Sequence, residues 1–302
     1  MEYVLMAVSI LFSVINAGLL RSFANKTKDN NYSSFIFNAG VSVVWIAILT
    51  AWLFISKDYG ISSTSVIYGI VYGIILGLFL LFKMRATSEG PVSLTTLIGS
   101  CAFIIATAFS VFYAGESVSF IQLAGMGLLL MSLVLCINPK KSGEKLTGKW
   151  FFNCFVFFLV GGLVGILYKL FGKSNASEQV NTMILVASVV SGIFFISGGF
   201  VEAKKNHKKI EKPTRLVLLY MLLCGIAGCI YIRLNVSLSK VIPGAIFFPV
   251  SNGGMVILST IMGKILFGEK LKPIQMFGIL IGLIAIIING CGDVLWEMII
   301  AL

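Results

Sequence analysis

Charge is what this sequence has least of. Asp, Glu, Lys and Arg together supply 12% of its 302 residues, about half the share of a water-soluble globule. There are 12 acidic residues, 6 prolines and a single histidine, His207, which falls in a lysine-rich stretch. No Asp or Glu stands in the middle of any long apolar run. That argues against a membrane-embedded carboxylate as a proton carrier. There is also no HExxH, no buried Asp pair and no Ser/His arrangement, so the chain is not expected to be an enzyme. Nucleotide-binding loops and clustered metal-ligand spacings are missing too, and no cofactor is expected.

Apolar residues fill the space. They make up 58% of the chain at a mean hydropathy of +1.00, so its solvent is lipid. In lipid only helices and closed barrels satisfy every backbone group. Barrel strands would alternate over about ten residues, whereas this sequence has long unbroken runs. Its charge-free intervals are 3–20, 30–56, 59–82, 90–115, 117–139, 150–168, 179–201, 216–232, 241–263 and 273–292. Each is close to the ~20 residues that a spanning helix requires. The expected fold is therefore an all-α integral membrane protein with ten transmembrane helices and no soluble domain. The first interval lacks a basic leader and a cleavage site, and reads as a retained helix. The six cysteines, at 101, 136, 154, 224, 229 and 291, sit in or beside these runs and read as reduced apolar filler.

The net charge of +11 could suggest nucleic acid, but its placement argues for topology. Connections following odd-numbered spans, with those on the same side, hold 18 of the Lys and Arg residues; the other side holds 5. Positive residues accumulate on the cytoplasmic side. Both termini are therefore expected outside the cytoplasm, in a multi-pass protein of the plasma membrane. Lipid and a small molecule are the expected partners, not nucleic acid, and the chain is expected to be a monomer.

Two stretches say the same thing. "AGESVSFIQLAG" (114–125) and "FGEKLKPIQMFG" (267–278) place Glu116, Gln122 and Gly125 each 153 residues before Glu269, Gln275 and Gly278. More weakly, "AGLLRSF" (17–23) aligns with "GILYKLF" (165–171). The basic stretch "NPKKSGEKLTGKW" (138–150) divides the chain into a first five-helix repeat (1–138), a connecting loop (139–149) and a second five-helix repeat (150–302). Five is odd, so the second copy runs inverted. Inverted repeats of this kind mark transporters in which one bundle rocks against the other.

The paired pattern of a long helix, Gly-Glu, a short turn and Gln-x-x-Gly resembles the drug/metabolite transporter superfamily, EamA-type. The best-matching stretches are 89–130 and 241–282. The resemblance implies ten spans in two inverted repeats, with helices 1, 3, 4, 6, 8 and 9 around a central cavity. It also implies secondary-active transport of a small organic metabolite by alternating access, outward more than inward. The chain departs from the pattern in two places. Its first helix carries "SVINAG" (13–18) in place of a Trp-Gly-x-Asn-like stretch, and its charge places the termini outside. Two other functions are weighed: a flippase for a lipid-linked intermediate, and a non-transporting scaffold or sensor with the same fold.

The candidate substrate residues are Asn16, Tyr72, Thr96, Ser100, Tyr231, Arg233, Ser251 and Asn252, with Ser13, Tyr68 and Thr95 beside them. Arg233 reads as the most deeply placed charge, about 10 Å along its helix from Lys240. It either snorkels to the interface or faces the cavity as a two-pronged site for a carboxylate or phosphate. Glu116 and Glu269 stand at span boundaries and read as acids beside a helix N-terminus rather than proton carriers. Pro249 with Gly253-Gly254 predicts a break in span nine. Gly161, Gly162 and Gly165 read as close-packing positions, and Trp150 and Trp296 as interface anchors.

Overall fold

The computed structural model describes residues 1–26, 31–57, 60–90, 92–113, 115–136, 147–205, 213–268 and 271–300; the side chains of 24–26, 31–33, 92–93, 267 and 291–300 are outside that description. Among the described residues the chain is helical and has no strand. The helices are α1 (Glu2–Lys26), α2 (Asn31–Ser56), α3 (Ser63–Glu89), α4 (Val92–Ser100), α5 (Phe103–Phe112), α6 (Phe120–Cys136), α7 (Gly148–Gly172), α8 (Val180–Lys205), α9 (Arg215–Val241), α10 (Gly244–Phe267) and α11 (Pro273–Ile300). Nine spans among these residues are long and apolar enough to cross a membrane, with α4 and α5 together making one; α6 is a shorter apolar helix of 17 residues. Most of the 139–149 loop, with Glu269 and His207, lies outside the described residues, as do the side chains of Cys291 and Trp296. The other five cysteines are free thiols.

Caps set the helix starts. Ser62, Thr147 and Thr214 each accept a hydrogen bond from the backbone N–H three residues on, meeting a donor that the first turn leaves unpaired. The duplicated motif performs the same work twice. Gly115 and Gly268 both adopt positive φ (69° and 64°), a turn conformation that glycine enters without strain. The Gln122 amide oxygen accepts from Ser119 N (2.9 Å) and that of Gln275 accepts from Lys272 N (3.0 Å). Both glutamines thus close the first turn of the helix that follows.

The third element of the motif sets a helix crossing. Gly125 lies against Ile288 and Asn289, and Gly278 against Leu135 and Cys136. These contacts make α6 and α11 an antiparallel pair in which each glycine meets the far end of the other helix. Gly69, Gly73 and Gly77 form a stripe on α3 that takes up Val186, Val190 and Phe194 of α8 in the same order, so these two helices run parallel. Small residues let helices approach where lipid gives no hydrophobic drive to associate. The extensive packing pairs, α6 with α11, α2 and α3 with α8, α1 with α9 and α3 with α7, all join a helix before residue 137 to one after 147.

Two features differ from the sequence reading. The break falls in the fourth span, not the ninth. At Cys101-Ala102 the backbone tightens, with Ala102 N bonding Gly99 O (3.2 Å) and Ile105 N bonding Ala102 O (3.2 Å). This is the i to i+3 pattern of a 3₁₀ turn. In contrast, α10 runs unbroken through Pro249. Pro249 is the sixth residue of that helix, and its missing donor would have reached only to Ala245, at the helix start. Gly253 and Gly254 are packed on Leu129 and Ile10, so contact offsets their poor propensity. The second difference is Trp150. Far from anchoring at the interface, it is 1% exposed, lies against Gly90 and donates its indole N–H to Thr95 Oγ1 (3.1 Å).

Candidate substrate site

Two polar clusters stand out against the apolar interior. The first is aromatic and uncharged. Tyr72 of α3 and Tyr168 of α7 share a hydrogen bond between their hydroxyls (2.7 Å), with rings edge-on at 5.5 Å. Both residues are buried, as is Trp45 of α2, and Tyr231 of α9 packs against the same core. Asn16 of α1 joins through Gly228 of α9: a Cβ there would sit 2.9 Å from the Asn16 amide nitrogen and 3.0 Å from the Trp45 ring. One turn along α9, Ser9 bridges α1 to α9 by donating to Asn235 Oδ1 (2.6 Å) and lying 3.3 Å from Tyr231 O. Five helices from both ends of the sequence therefore meet here, near the middle of α1, α2 and α9.

The second cluster is charged. Lys169 on α7 is 4% exposed, yet its ammonium has two partners: Glu116 Oε1 at 2.7 Å and Ile242 O at 2.9 Å. The other Glu116 oxygen accepts from Gly244 N at the start of α10. An acid beside a helix N-terminus was the sequence reading of Glu116. The helix it caps is not α6, which follows it, but α10, and it holds a lysine as well. A carboxylate at that end is favoured by the unpaired N–H groups and the helix dipole. The pair therefore ties α7, the α5–α6 connection and the α9–α10 junction into one knot.

Among the described residues Lys169 also displaces Arg233 as the most enclosed charge. Arg233 is half-buried; its Nε–H donates to Asn181 Oδ1 (2.8 Å) and its guanidinium lies 5.0 Å from the Trp52 ring centroid. Trp52 is 46% exposed and one turn from the end of α2, so the arginine leans toward that end of the bundle.

Of the residues singled out from sequence, the fold brings Asn16, Tyr72 and Tyr231 together. Thr96 is exposed on α4 and its carbonyl accepts from Ser100 Oγ (2.7 Å), apart from the cluster. Ser251 and Asn252 lie on α10. The Ser251 hydroxyl is buried without a partner among the described residues, and Asn252 bonds back to Phe248 O (2.9 Å). Ser13 bonds Ile10 O, and Tyr68 meets the Phe171 ring edge-on. Sequence reasoning passed over Trp45 and Tyr168. Tyr168 was available in the aligned "GILYKLF"; Trp45 had only its mid-span position to mark it.

Two shallow apolar grooves lie on the surface. One of about 250 Å³ runs between α3 and α7 along Ile67, Tyr68, Val71, Leu163 and Leu167. A second of about 200 Å³ is bounded by Ile261, Lys264, Leu271, Met276 and Ile279.

No family model matches the chain, and no curated protein does. Solved structures do match. One, named only "Crystal structure of protein", is 12% identical and aligns with a TM-score of 0.75 over 99% of this chain and 98% of its own. At that identity the likeness is one of fold, and it extends over the whole chain: this helical, multi-span architecture has been seen before.

Proposed function

We propose that the chain is a secondary-active transporter of a small organic metabolite, of the EamA type within the drug/metabolite transporter superfamily. It works as a monomer in the plasma membrane by alternating access, exporting its substrate at the expense of a gradient or an exchanged solute. The observation that carries this reading is the pairing of helices. When each helix of the first five spans is exchanged for its counterpart in the last five, α1 with α9 becomes α7 with α3, and α2 with α9 becomes α8 with α3. Both members of each exchange are packed pairs. The α6–α11 crossing maps onto itself, since Gly125 meets Asn289 while Gly278 meets Cys136, positions related by the same 153-residue shift. Such self-symmetry is what two inverted repeats require, and the aromatic cluster lies where the halves meet. The 3₁₀ turn at Cys101-Ala102 supplies a flexible point in the fourth span.

A thiol test needs no ligand. In a cysteine-free background, Asn16→Cys is exposed to a membrane-impermeant maleimide in right-side-out and inside-out vesicles. A transporter exposes the thiol to each side in turn, so both preparations react. A sealed scaffold or sensor reacts in neither. Reaction from one side alone contradicts alternating access.

The α3–α7 groove favours one second reading, a flippase for a lipid-linked intermediate. An apolar chain would ride in that groove while a polar head passes Tyr68.

A further inference from the structure

The second surface groove, of about 200 Å³, lies between the end of α10 and the start of α11 and has no part in transport. Of its bounding residues Ile261, Leu271, Met276 and Ile279 are apolar, and Lys264 is the one cation. Lys264 is exposed in the last turn of α10, where the helix dipole favours a positive charge. Yet among the described residues its ammonium forms no hydrogen bond or ion pair.

Below the lysine the groove continues as an exposed apolar face. Met276, Ile279, Leu283 and Ile287 recur at three- and four-residue spacing, so they share one side of α11. Met276 is 53%, Leu283 42% and Ile287 62% exposed. From Met276 to Ile287 that side runs about 16 Å along the helix. This is about half of the ~30 Å hydrocarbon core, the depth of one leaflet. The groove also opens at the basic end of the bundle. Gln275 Nε2 donates to Cys136 O (2.9 Å), so α11 starts where α6 ends, on the side to which the sequence assigns 18 of 23 Lys and Arg residues.

We propose that this groove binds one anionic phospholipid of the leaflet at the basic end, its phosphate on Lys264 and an acyl chain along Met276, Ile279 and Leu283. The inference needs only a membrane-spanning chain and stands apart from transport. Charge selects the headgroup. A phosphate supplies the counter-ion that the Lys264 ammonium lacks, at a surface where basic residues attract anionic lipid. In a zwitterionic lipid the headgroup's own cation competes for that phosphate; phosphatidylglycerol carries no such cation. A second copy of the chain, inserted the same way, would bring another basic end to the lysine.

The test reads occupancy at the groove itself. In a cysteine-free background, Leu283→Cys is labelled with bimane and the full chain is reconstituted in phosphatidylcholine vesicles. Chain-brominated phosphatidylglycerol or phosphatidylcholine is added in increasing fraction, and quenching of the bimane gives the relative affinity of each. Phosphatidylglycerol is expected to bind about fivefold more tightly, the share of one lysine near a charged surface. Lys264→Gln should bring the ratio close to one and Lys264→Arg should keep it. Lys204→Gln, exposed at the end of α8, should change nothing. Equal quenching by the two lipids overturns the proposal. So does a preference that outlasts Lys264→Gln, or one that falls as far with Lys204→Gln. Quenching by neither lipid overturns it too, since the groove would then be closed to the bilayer, as a second copy would close it.

Discussion

Replacing Glu116 by glutamine perturbs one charge with two attachments, the Lys169 ammonium and Gly244 N. The new amide oxygen could still accept from Gly244 N, keeping the cap of α10, but the change would leave the Lys169 ammonium with a lone carbonyl, Ile242 O. Removing one partner of a buried ion pair costs about 3–5 kcal/mol, because the remaining charge is stranded. The Glu116 side chain is 19% exposed, so water recovers part of the loss and the lower end, about 3 kcal/mol, is expected. The double variant E116Q/K169M removes the stranded charge and should be more stable than E116Q alone, with a coupling of about 2 kcal/mol. SDS titration of purified protein, followed by far-UV circular dichroism, reads all four corners of this cycle. Additive losses would refute the knot, as would a cost for E116Q under about 1 kcal/mol. The same variant, reconstituted, should keep its transport dependence on pH; losing it with normal folding would restore Glu116 as a proton carrier.

At the α6–α11 crossing, Gly278→Ala puts a Cβ 2.8 Å from that of Leu135 and should lower stability by about 1–3 kcal/mol, while Gly127→Ala, which meets nothing within 4 Å, should not; equal effects in the SDS titration would contradict the packing. Trp150→Phe removes the bond to Thr95 and leaves a gap, costing about 2 kcal/mol or more, a loss that an interface anchor would not show. Arg233→Lys and Arg233→Ala should both cost on the order of 1 kcal/mol in the same titration, the worth of a half-exposed cation–π contact; a much larger loss for alanine than for lysine would contradict the half-buried placement of Arg233. For orientation, a cysteine at Asn175, between α7 and α8, should react with impermeant reagent in intact cells while one at Ser142 stays protected; the reverse order refutes the inference from the 18-to-5 charge asymmetry.

The spans were legible because lipid imposes one rule on every residue, and helix length follows from bilayer thickness. The duplicated motif was legible as a corner. Gly115, Gln122 and Gly125 each do a local job that depends on neighbours within one turn or on a single crossing. What the sequence did not carry is register between distant helices. Glu116 and Lys169 are 53 residues apart, and nothing in either local pattern names the other. In the sequence Lys169 is only the charge that ends the apolar interval 150–168, although the fold encloses it. Propensity misled at the helix break for a related reason. Span nine has the proline and the glycine pair but is held straight by Leu129 and Ile10, while Cys101-Ala102 tightens with neither residue type present. The Gly69, Gly73 and Gly77 stripe was visible all along as a four-residue spacing.

Helix α7 links the two clusters more tightly than their chemistry suggests. Tyr168 and Lys169 are consecutive, so they point about 100° apart on one turn. Tyr168 faces α3 and the aromatic cluster; Lys169 faces the α5–α6 connection and the start of α10. No rotation of α7 about its axis can release one without moving the other. In the alternating-access cycle proposed above, opening the end closed by Glu116 and Lys169 would disturb the Tyr72–Tyr168 hydrogen bond, and a ligand that took over that bond would weaken the hold on the knot. Since Glu116 belongs to the first five spans and Lys169 and Gly244 to the last five, the knot also crosses the junction at which the halves would rock. A ligand at the aromatic cluster would thus bias a charged contact at the end without touching it, provided that α7 moves as a rigid element. That coupling is reciprocal: E116Q, by loosening the knot, should raise the reactivity of Asn16→Cys from the outer side, and an unchanged rate would break the link between the two clusters.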